Sequence, residues 1–117
     1  MQTELRSDLA TDSVLWVHVT ASTDAEARGI ARTLVEEGLA ACANILPSHT
    51  AIYRWQGKIV EDEEHAFLAK TTVARLPGFR DRVRDLHSSD LPCIVALPAA
   101  GGDAAFLDWV RAETRGR

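Results

Sequence analysis

Three side chains able to bind transition metals follow one another at intervals of three residues in the C-terminal half: His87, Asp90 and Cys93. They offer an imidazole nitrogen, a carboxylate oxygen and a thiolate sulfur, donors that Cu and Zn accept, and the soft thiolate favours Cu(I). The spacing matches no closed zinc motif. The alternative is structural, with His87 bonded to the last carbonyls of a helix and Asp90 forming a turn. The histidines His18 and His49 are interpreted as structural.

The other cysteine, Cys42, lies in the segment LAACA at the start of an expected strand. A free cysteine in such surroundings fits a small buried apolar position. As a thiol it is also a candidate metal ligand beside His87, Cys93 and Asp90. A nucleophilic role requires a neighbouring base and an orienting group, and the sequence identifies neither. We therefore expect a protein that is not an enzyme.

Carboxylates are concentrated in the run EDEEH at residues 61–65. Carboxylate oxygens suit Mg and Ca, and imidazole suits Zn or Cu. Because only alternate side chains of a strand share a face, at most Glu61, Glu63 and His65 act on one ion. The alternative is a solvated strand that discourages aggregation.

Two cations accompany this acidic run: Lys70 lies farther along the same expected strand, and Arg54 lies across the hairpin. Each either pairs with a carboxylate or binds an anionic effector in a cleft between subunits. No glycine-rich phosphate loop accompanies them. Trp55 is expected to pack in an interface or core, with ligand stacking as the alternative. With Glu64 these residues form a candidate effector cleft.

The composition limits the class of protein. A chain of 117 residues with 46% hydrophobic and 26% charged residues fits one soluble globular domain. A formal charge of -4 without a Lys/Arg cluster argues against sequence-independent binding to nucleic acid or an anionic membrane. The polar first dozen residues predict no signal peptide, and no apolar run is long enough to span a membrane. The two cysteines are expected to be free thiols in the cytoplasm.

The first elements are indicated by apolar patterning and by end signals. Residues 14–20 are apolar on both faces apart from one histidine, which is typical of a strand in the middle of a sheet. Thr23 and Glu26 form a capping box that begins a helix, and Gly38 ends it.

A long hairpin follows, in which the segment from Ala41 to Trp55 turns at Gln56-Gly57. Pro47 predicts a bend and an edge position, because proline donates no ladder hydrogen bond. The extended segment spans about 50 Å at about 3.3 Å per residue, whereas the flanking helix covers about 21 Å. We expect the hairpin to project and a second copy of the chain to cover its apolar residues. These residues are Ile52, Tyr53, Trp55, Ile59 and Val60.

The remaining elements complete a recognisable order. Pro77 begins a second helix, Leu91–Leu97 reads as an edge strand between prolines, and Asp103 caps a last helix. The order βαββαβ plus a C-terminal helix predicts an α+β, ferredoxin-like fold, with helices on one face of an antiparallel sheet. We expect a flexible tail at residues 1–13 and a single domain at residues 14–117.

The segment LAACANILPSHTAIYRWQGKIVEDEE, residues 39–64, resembles the signature hairpin of the CutA family, which is linked to divalent-cation tolerance. Further matches in order are LAKT, RVRDLH, IVALP and FLDWV, so the resemblance covers about residues 14–114. It implies a compact homotrimer whose hairpins reach neighbouring subunits, and it implies copper binding. The shape also resembles the trimeric PII signalling proteins, which bind small effectors in clefts between subunits.

The chain departs from the family pattern where copper is concerned. Bacterial copper-binding members place a cysteine on the first strand, where this chain has Val19. Cys93 stands where a glutamate is usual, and Cys42 matches the pattern. We expect a cytoplasmic, non-catalytic homotrimer that binds Cu or a similar ion in metal tolerance. The alternative is a PII-like effector-binding trimer whose cleft is lined by Lys70, Arg54, Trp55 and Glu64.

Overall fold

The computed structural model describes residues 3–115, in which an antiparallel sheet carries helices. The elements in chain order are β1 (Val14–Ala21), α1 (Asp24–Glu36), β2 (Cys42–Ile45), β3 (His49–Trp55), β4 (Lys58–Thr72), a 3-10 helix (Val73–Arg75), α2 (Leu76–Leu86), β5 (Ile94–Pro98) and α3 (Ala104–Glu113). The sheet order is β2-β4-β1-β5, and β3 pairs with the outer half of β4. This is the predicted βαββαβ order with its extra helix.

Strand β1 is central, as its apolar character predicts: it pairs antiparallel with β4 on one side and with β5 on the other. Its side chains alternate between the two faces of the sheet. Leu15, Val17 and Val19 lie on the face covered by α1 and α2 and are fully buried. They pack with other buried side chains of the sheet and both helices: Leu34, Phe67, Phe79 and Val83.

Helix α1 begins and ends at the predicted residues. The Thr23 hydroxyl accepts a hydrogen bond of 3.0 Å from the backbone N–H of Glu26, which satisfies a free donor of the first turn. Gly38 has a φ of 71°, the left-handed conformation that ends a helix at little steric cost with glycine.

The expected bend at Pro47 divides the second predicted strand into β2 and β3. At the hairpin tip Gln56 and Gly57 have φ values of 49° and 79°, and Trp55 faces Lys58 across the turn. Two consecutive positive φ values define the tight turn whose twist matches that of the strands. The predicted turn is therefore confirmed.

The hairpin projects from the body of the protein. The described residues extend 43 × 29 × 26 Å, and β4 alone contains 15 residues. Only β3 pairs with the outer part of β4, and Ile52 and Ile59 there are 68% and 63% exposed. The apolar hairpin residues are thus uncovered within one chain.

The position of α3 differs from the expectation that all helices lie on one face of the sheet. Its buried Val110 packs against Val14 and Ala41. Val14 alternates with Leu15 along β1, so α3 lies on the face opposite α1 and α2. It covers only one end of that face, which we call the open face. The amphipathic pattern of α3 indicates a buried stripe but does not indicate which side of a sheet receives it.

Residues 3–13 contain no helix or strand and run beside the start of α2. Val73 and Ala74 donate backbone hydrogen bonds to Ser13 and Thr11, and Leu9 packs against the core. The flexibility of the tail at 1–13 and the single domain at 14–117 stay predictions, and residues 1, 2, 116 and 117 lie outside the described part. No helix within residues 3–115 has the length and apolar character required to cross a membrane.

Candidate functional site

A groove of about 430 Å³ lies where β1 ends and the loop between α2 and β5 returns to the sheet. It is lined by the end of β1, by the hairpin and by that loop. The hairpin contributes two aromatic and three acidic residues: Tyr53, Trp55, Asp62, Glu63 and Glu64. The loop contributes His87 and Cys93, but Asp90 is exposed and does not line the groove. The groove therefore combines two predicted metal ligands with two predicted effector residues.

His87 caps the end of α2 and has both ring nitrogens engaged. Its Nε2 lies 2.6 Å from the carbonyl oxygen of Thr20, and the backbone N–H of Ser89 donates to Nδ1 over 3.0 Å. The tautomer that satisfies both contacts carries its proton on Nε2. Metal binding by His87 requires that one of these hydrogen bonds breaks. The hydrogen bond to Thr20 connects the end of α2 to β1. It does not involve the last carbonyls of α2, which were the partners expected in the structural alternative.

Glu26 holds the loop in place, a role that the sequence pattern does not indicate. Its carboxylate accepts hydrogen bonds from the backbone N–H groups of Ser22 and Ser88, at 3.1 and 3.0 Å. Burial tends to raise the pKa of Glu26, but the hydrogen bonds from Ser88 and Ser22 outweigh it, so this pKa is lowered. One carboxylate thus ties the start of α1 to the rim of the groove.

Cys93 contacts His18, a residue for which the sequence predicts a structural role. Its Sγ lies 3.8 Å from Nδ1 of His18, which projects from the open face of β1. Burial, followed by the charge of Glu64, raises the pKa of the Cys93 thiol. Because the thiol form is favoured, Cys93 is not an activated nucleophile.

Cys42 lies at the opposite end of the open face. In the strand register Cys42 lies opposite Lys70 of β4, and Lys70 lies opposite Trp16 of β1. At the other end, the carbonyl of Cys93 accepts a hydrogen bond from the backbone N–H of Thr20, four residues beyond Trp16 in β1. Strand spacings of about 4.8 Å and a rise of about 3.3 Å per residue put the two cysteines about 20 Å apart. Burial also raises the pKa of the Cys42 thiol, despite the opposing charge of Lys70. The two cysteines do not share a site within one chain.

The predicted effector residues divide between separate places. The buried ammonium of Lys70 donates to the side-chain oxygen of Asn44 and lies 4.8 Å from the centre of the Trp16 ring. It is six residues from Glu64, about 20 Å along a strand. Arg54 alternates with Trp55 and lies on the other side of the hairpin. Within one chain only Trp55 and Glu64 line the groove.

The acidic run alternates as expected. Nε2 of His65 lies 3.2 Å from a carboxylate oxygen of Glu63 on one side of β4. On the other side Nε2 of His49 lies 3.0 Å from Glu64. Within residues 3–115 no group of three or more His, Cys, Asp and Glu side chains is arranged to hold a metal ion.

The open face and the hairpin leave a large apolar surface without cover. Trp16, Val95 and Leu97 on the strands are 42%, 51% and 55% exposed. Phe106 and Trp109 of α3 continue this surface, with ring centres 5.6 Å apart. Contiguous exposed apolar surface of this kind typically marks an interaction site.

The sequence of residues 15–113 matches the family of CutA1 divalent ion tolerance proteins. A divalent-cation tolerance protein CutA from Thermus thermophilus is 51% identical over 98 residues, which is 84% of this chain and 95% of that protein. The human protein CutA is 41% identical over 87% of this chain, which spans 57% of the human protein.

Solved structures agree with this similarity. The divalent cation tolerance protein Cut A1 from Thermus thermophilus has a TM-score of 0.85 at 50% identity, covering 86% of this chain and 98% of that chain. A periplasmic divalent cation tolerance protein CutA from Archaeoglobus fulgidus has a TM-score of 0.84 at 36% identity, covering 87% and 99%. The predicted α+β, ferredoxin-like fold is confirmed.

Proposed function

The chain belongs to the CutA1 divalent ion tolerance family, and we propose that it acts in this tolerance by binding Cu or a similar ion without catalysing a reaction. One observation carries the proposal. Cys93, a soft donor, lies in a groove lined by Asp62 and Glu64, whose carboxylates share one side of β4. Carboxylates around a cleft concentrate cations, and the thiolate retains soft ones.

Among the predicted ligands His87, Cys93, Cys42 and Asp90, Cys93 carries the metal proposal. Both nitrogens of His87 are hydrogen-bonded, Cys42 is about 20 Å away by strand geometry, and Asp90 lies outside the groove. A non-catalytic role is supported by the raised pKa of the Cys93 thiol, because a nucleophilic cysteine requires a lowered one. A cytoplasmic location is supported by two free cysteines that are too distant to pair.

The proposal includes assembly as a homotrimer, with the partner being this same chain. The exposed apolar surface of the open face and α3 requires cover, and so do Ile52 and Ile59 on the projecting hairpin. A closed cyclic trimer provides that cover through a head-to-tail interface, in which one surface of each chain contacts a different surface of the next chain. The hairpin is long enough to reach a neighbour beyond the body of its own chain.

A PII-like effector trimer remains the second candidate, since Trp55 and Glu64 both line the groove. The acidic lining opposes an anionic effector, and Lys70 lies away from the groove within one chain. A Lys70→Ala variant that loses binding of a small anion while retaining metal uptake supports this second function.

The experiment that tests the proposed function is a titration of reduced, metal-free protein with Cu(I) against a competing chelator. We expect one ion per chain, lost in Cys93→Ser and retained in Cys42→Ser, which is the matched thiol control. Binding that survives Cys93→Ser, or no binding by the native protein, overturns the proposed metal site.

A further inference from the structure

A sulfur atom and a nitrogen atom that can both bind metal approach each other on the open face of the sheet. The backbone N–H of Thr20 donates to the carbonyl of Cys93 over 3.3 Å, which puts Cys93 opposite Thr20. His18 precedes Thr20 by two residues and therefore projects from the same face. The two side chains form a diagonal cross-strand pair, with Sγ 3.8 Å from Nδ1.

We propose that His18 and Cys93 together bind one soft metal ion, with Cu(I) preferred, through Nδ1 and Sγ. This assignment rests on the proposed function and names the second protein ligand of that site. His18 is absent from the predicted ligand set, and Cys93 occupies a position where the family pattern has a glutamate.

The separation of the two atoms fits a shared ion. With a metal–sulfur bond of about 2.3 Å and a metal–nitrogen bond of about 2.0 Å, a separation of 3.8 Å corresponds to an angle of about 120° at the metal. This angle is that of a trigonal site, which leaves one position for a small exogenous ligand. Cu(I) accepts such low coordination numbers and favours sulfur, whereas structural zinc requires four ligands.

The His18 tautomer with its proton on Nε2 suits the replacement of a proton by an ion. When the Cys93 thiol donates its proton to His18, Nδ1 carries a lone pair directed at the sulfur. Cu(I) replaces this proton: a Cu–S and a Cu–N bond form, the S–H bond breaks, and the proton passes to solvent with no change of oxidation state. Neither His18 in β1 nor Cys93, which directly precedes β5, has to change its backbone position.

The neighbours of the pair suit a bound cation. Leu68 and Val95 flank His18 across the strands and limit its hydration. Glu64 lies close enough for its charge to affect Cys93, so it attracts a cation toward the thiol. His87 is held by Thr20 and Ser89 and does not compete for this ion.

The test compares His18→Leu with His18→Met in the Cu(I) titration against a competing chelator. The two side chains are nearly equal in size, but methionine supplies a thioether that Cu(I) accepts. We expect His18→Leu to weaken Cu(I) binding by about 100-fold or more, since even losing an outer-shell partner typically costs about 10–100-fold. His18→Met should bind within about tenfold of the native protein. X-ray absorption of the native complex should show one sulfur and one protein nitrogen.

Controls separate this inference from the proposed function. His49→Leu is the matched histidine control and should bind normally. If Cys93→Ser abolishes binding but His18→Leu does not, the proposed function stands and the role of His18 is wrong. If His87→Leu weakens binding and His18→Leu does not, His87 is the nitrogen ligand and the inference is overturned.

Discussion

The two faces of the sheet are built from the same strands but have opposite properties. On the covered face, Val17, Val19 and Phe67 are fully buried under α1 and α2. On the open face, Trp16, Val95 and Leu97 remain about half exposed, beside the polar pair of His18 and Cys93. The comparison teaches that one face stabilises the single chain, while the other leaves apolar surface uncovered, where we propose that a partner and an ion bind.

The largest expected effect comes from breaking the covered face. Phe67→Ala removes a fully buried ring and should lower the free energy of unfolding by about 3–5 kcal/mol, because burial is lost and a cavity remains. Denaturant unfolding of the purified variant measures this change. A loss below about 1 kcal/mol contradicts the assignment of Phe67 to the closed core.

Breaking the open face should affect assembly rather than folding. Leu97→Lys puts a charge into the exposed apolar surface, so the proposed trimer should dissociate to monomers with an unchanged circular dichroism spectrum. Sedimentation velocity measures the mass. Leu86→Lys, at a similarly apolar but helix-borne position that is 38% exposed, is the control and should remain assembled. An unchanged mass for Leu97→Lys excludes the open face as the interface.

A smaller effect is expected at acidic pH, where Glu26 should contribute less to stability. The lowered pKa of Glu26 means that its contribution is present above its ordinary pKa of 4.5 and is lost as pH falls through the folded value. Glu26→Gln should cost about 1–2 kcal/mol at neutral pH, for a partly exposed charged hydrogen bond. Urea unfolding at several pH values should show that the difference in unfolding free energy between the variant and the native protein decreases as the pH falls below 4.5. A constant difference means that the carboxylate charge is not what holds Ser22 and Ser88.

The smallest effect should have the opposite pH dependence and lie in the hairpin. The hydrogen bond to the Pro47 carbonyl, followed by that to Glu64, raises the pKa of His49 above its ordinary 6.5. A raised folded pKa contributes stability fully present below 6.5 and lost as pH rises through the folded value. An NMR titration of the native protein and of Glu64→Gln measures this pKa, which should fall in the variant. No change in Glu64→Gln assigns the shift to Pro47 alone.

Much of the fold follows from local signals. The cap at Thr23, the bend at Pro47 and the turn at Gln56-Gly57 each lie where one residue type satisfies a backbone requirement. The central position of β1 follows from its apolar character on both faces. The placement of α3 is different, because an amphipathic pattern has no information about which face of a sheet is vacant.

The candidate site was predicted only in part, for a related reason. Spacing brings His87 and Cys93 to one groove, since both belong to the loop that follows α2. It does not indicate that His87 is engaged by Thr20, or that His18, 75 residues from Cys93, is the histidine near the sulfur. A polar residue within an apolar central strand was the available signal, because such a side chain requires a partner.

The sequence by itself determined the element order, the ends of α1, the hairpin turn and the family, because these depend on residue types at short range. Only the tertiary structure decided which donor atoms meet. Strand register pairs residues distant along the chain, and a shift of one residue between β1 and β5 would place His18 and Cys93 on opposite faces of the sheet. The covered core fixes that register through Leu15, Val17 and Val19, so the contact on the open face is a consequence of packing on the opposite one.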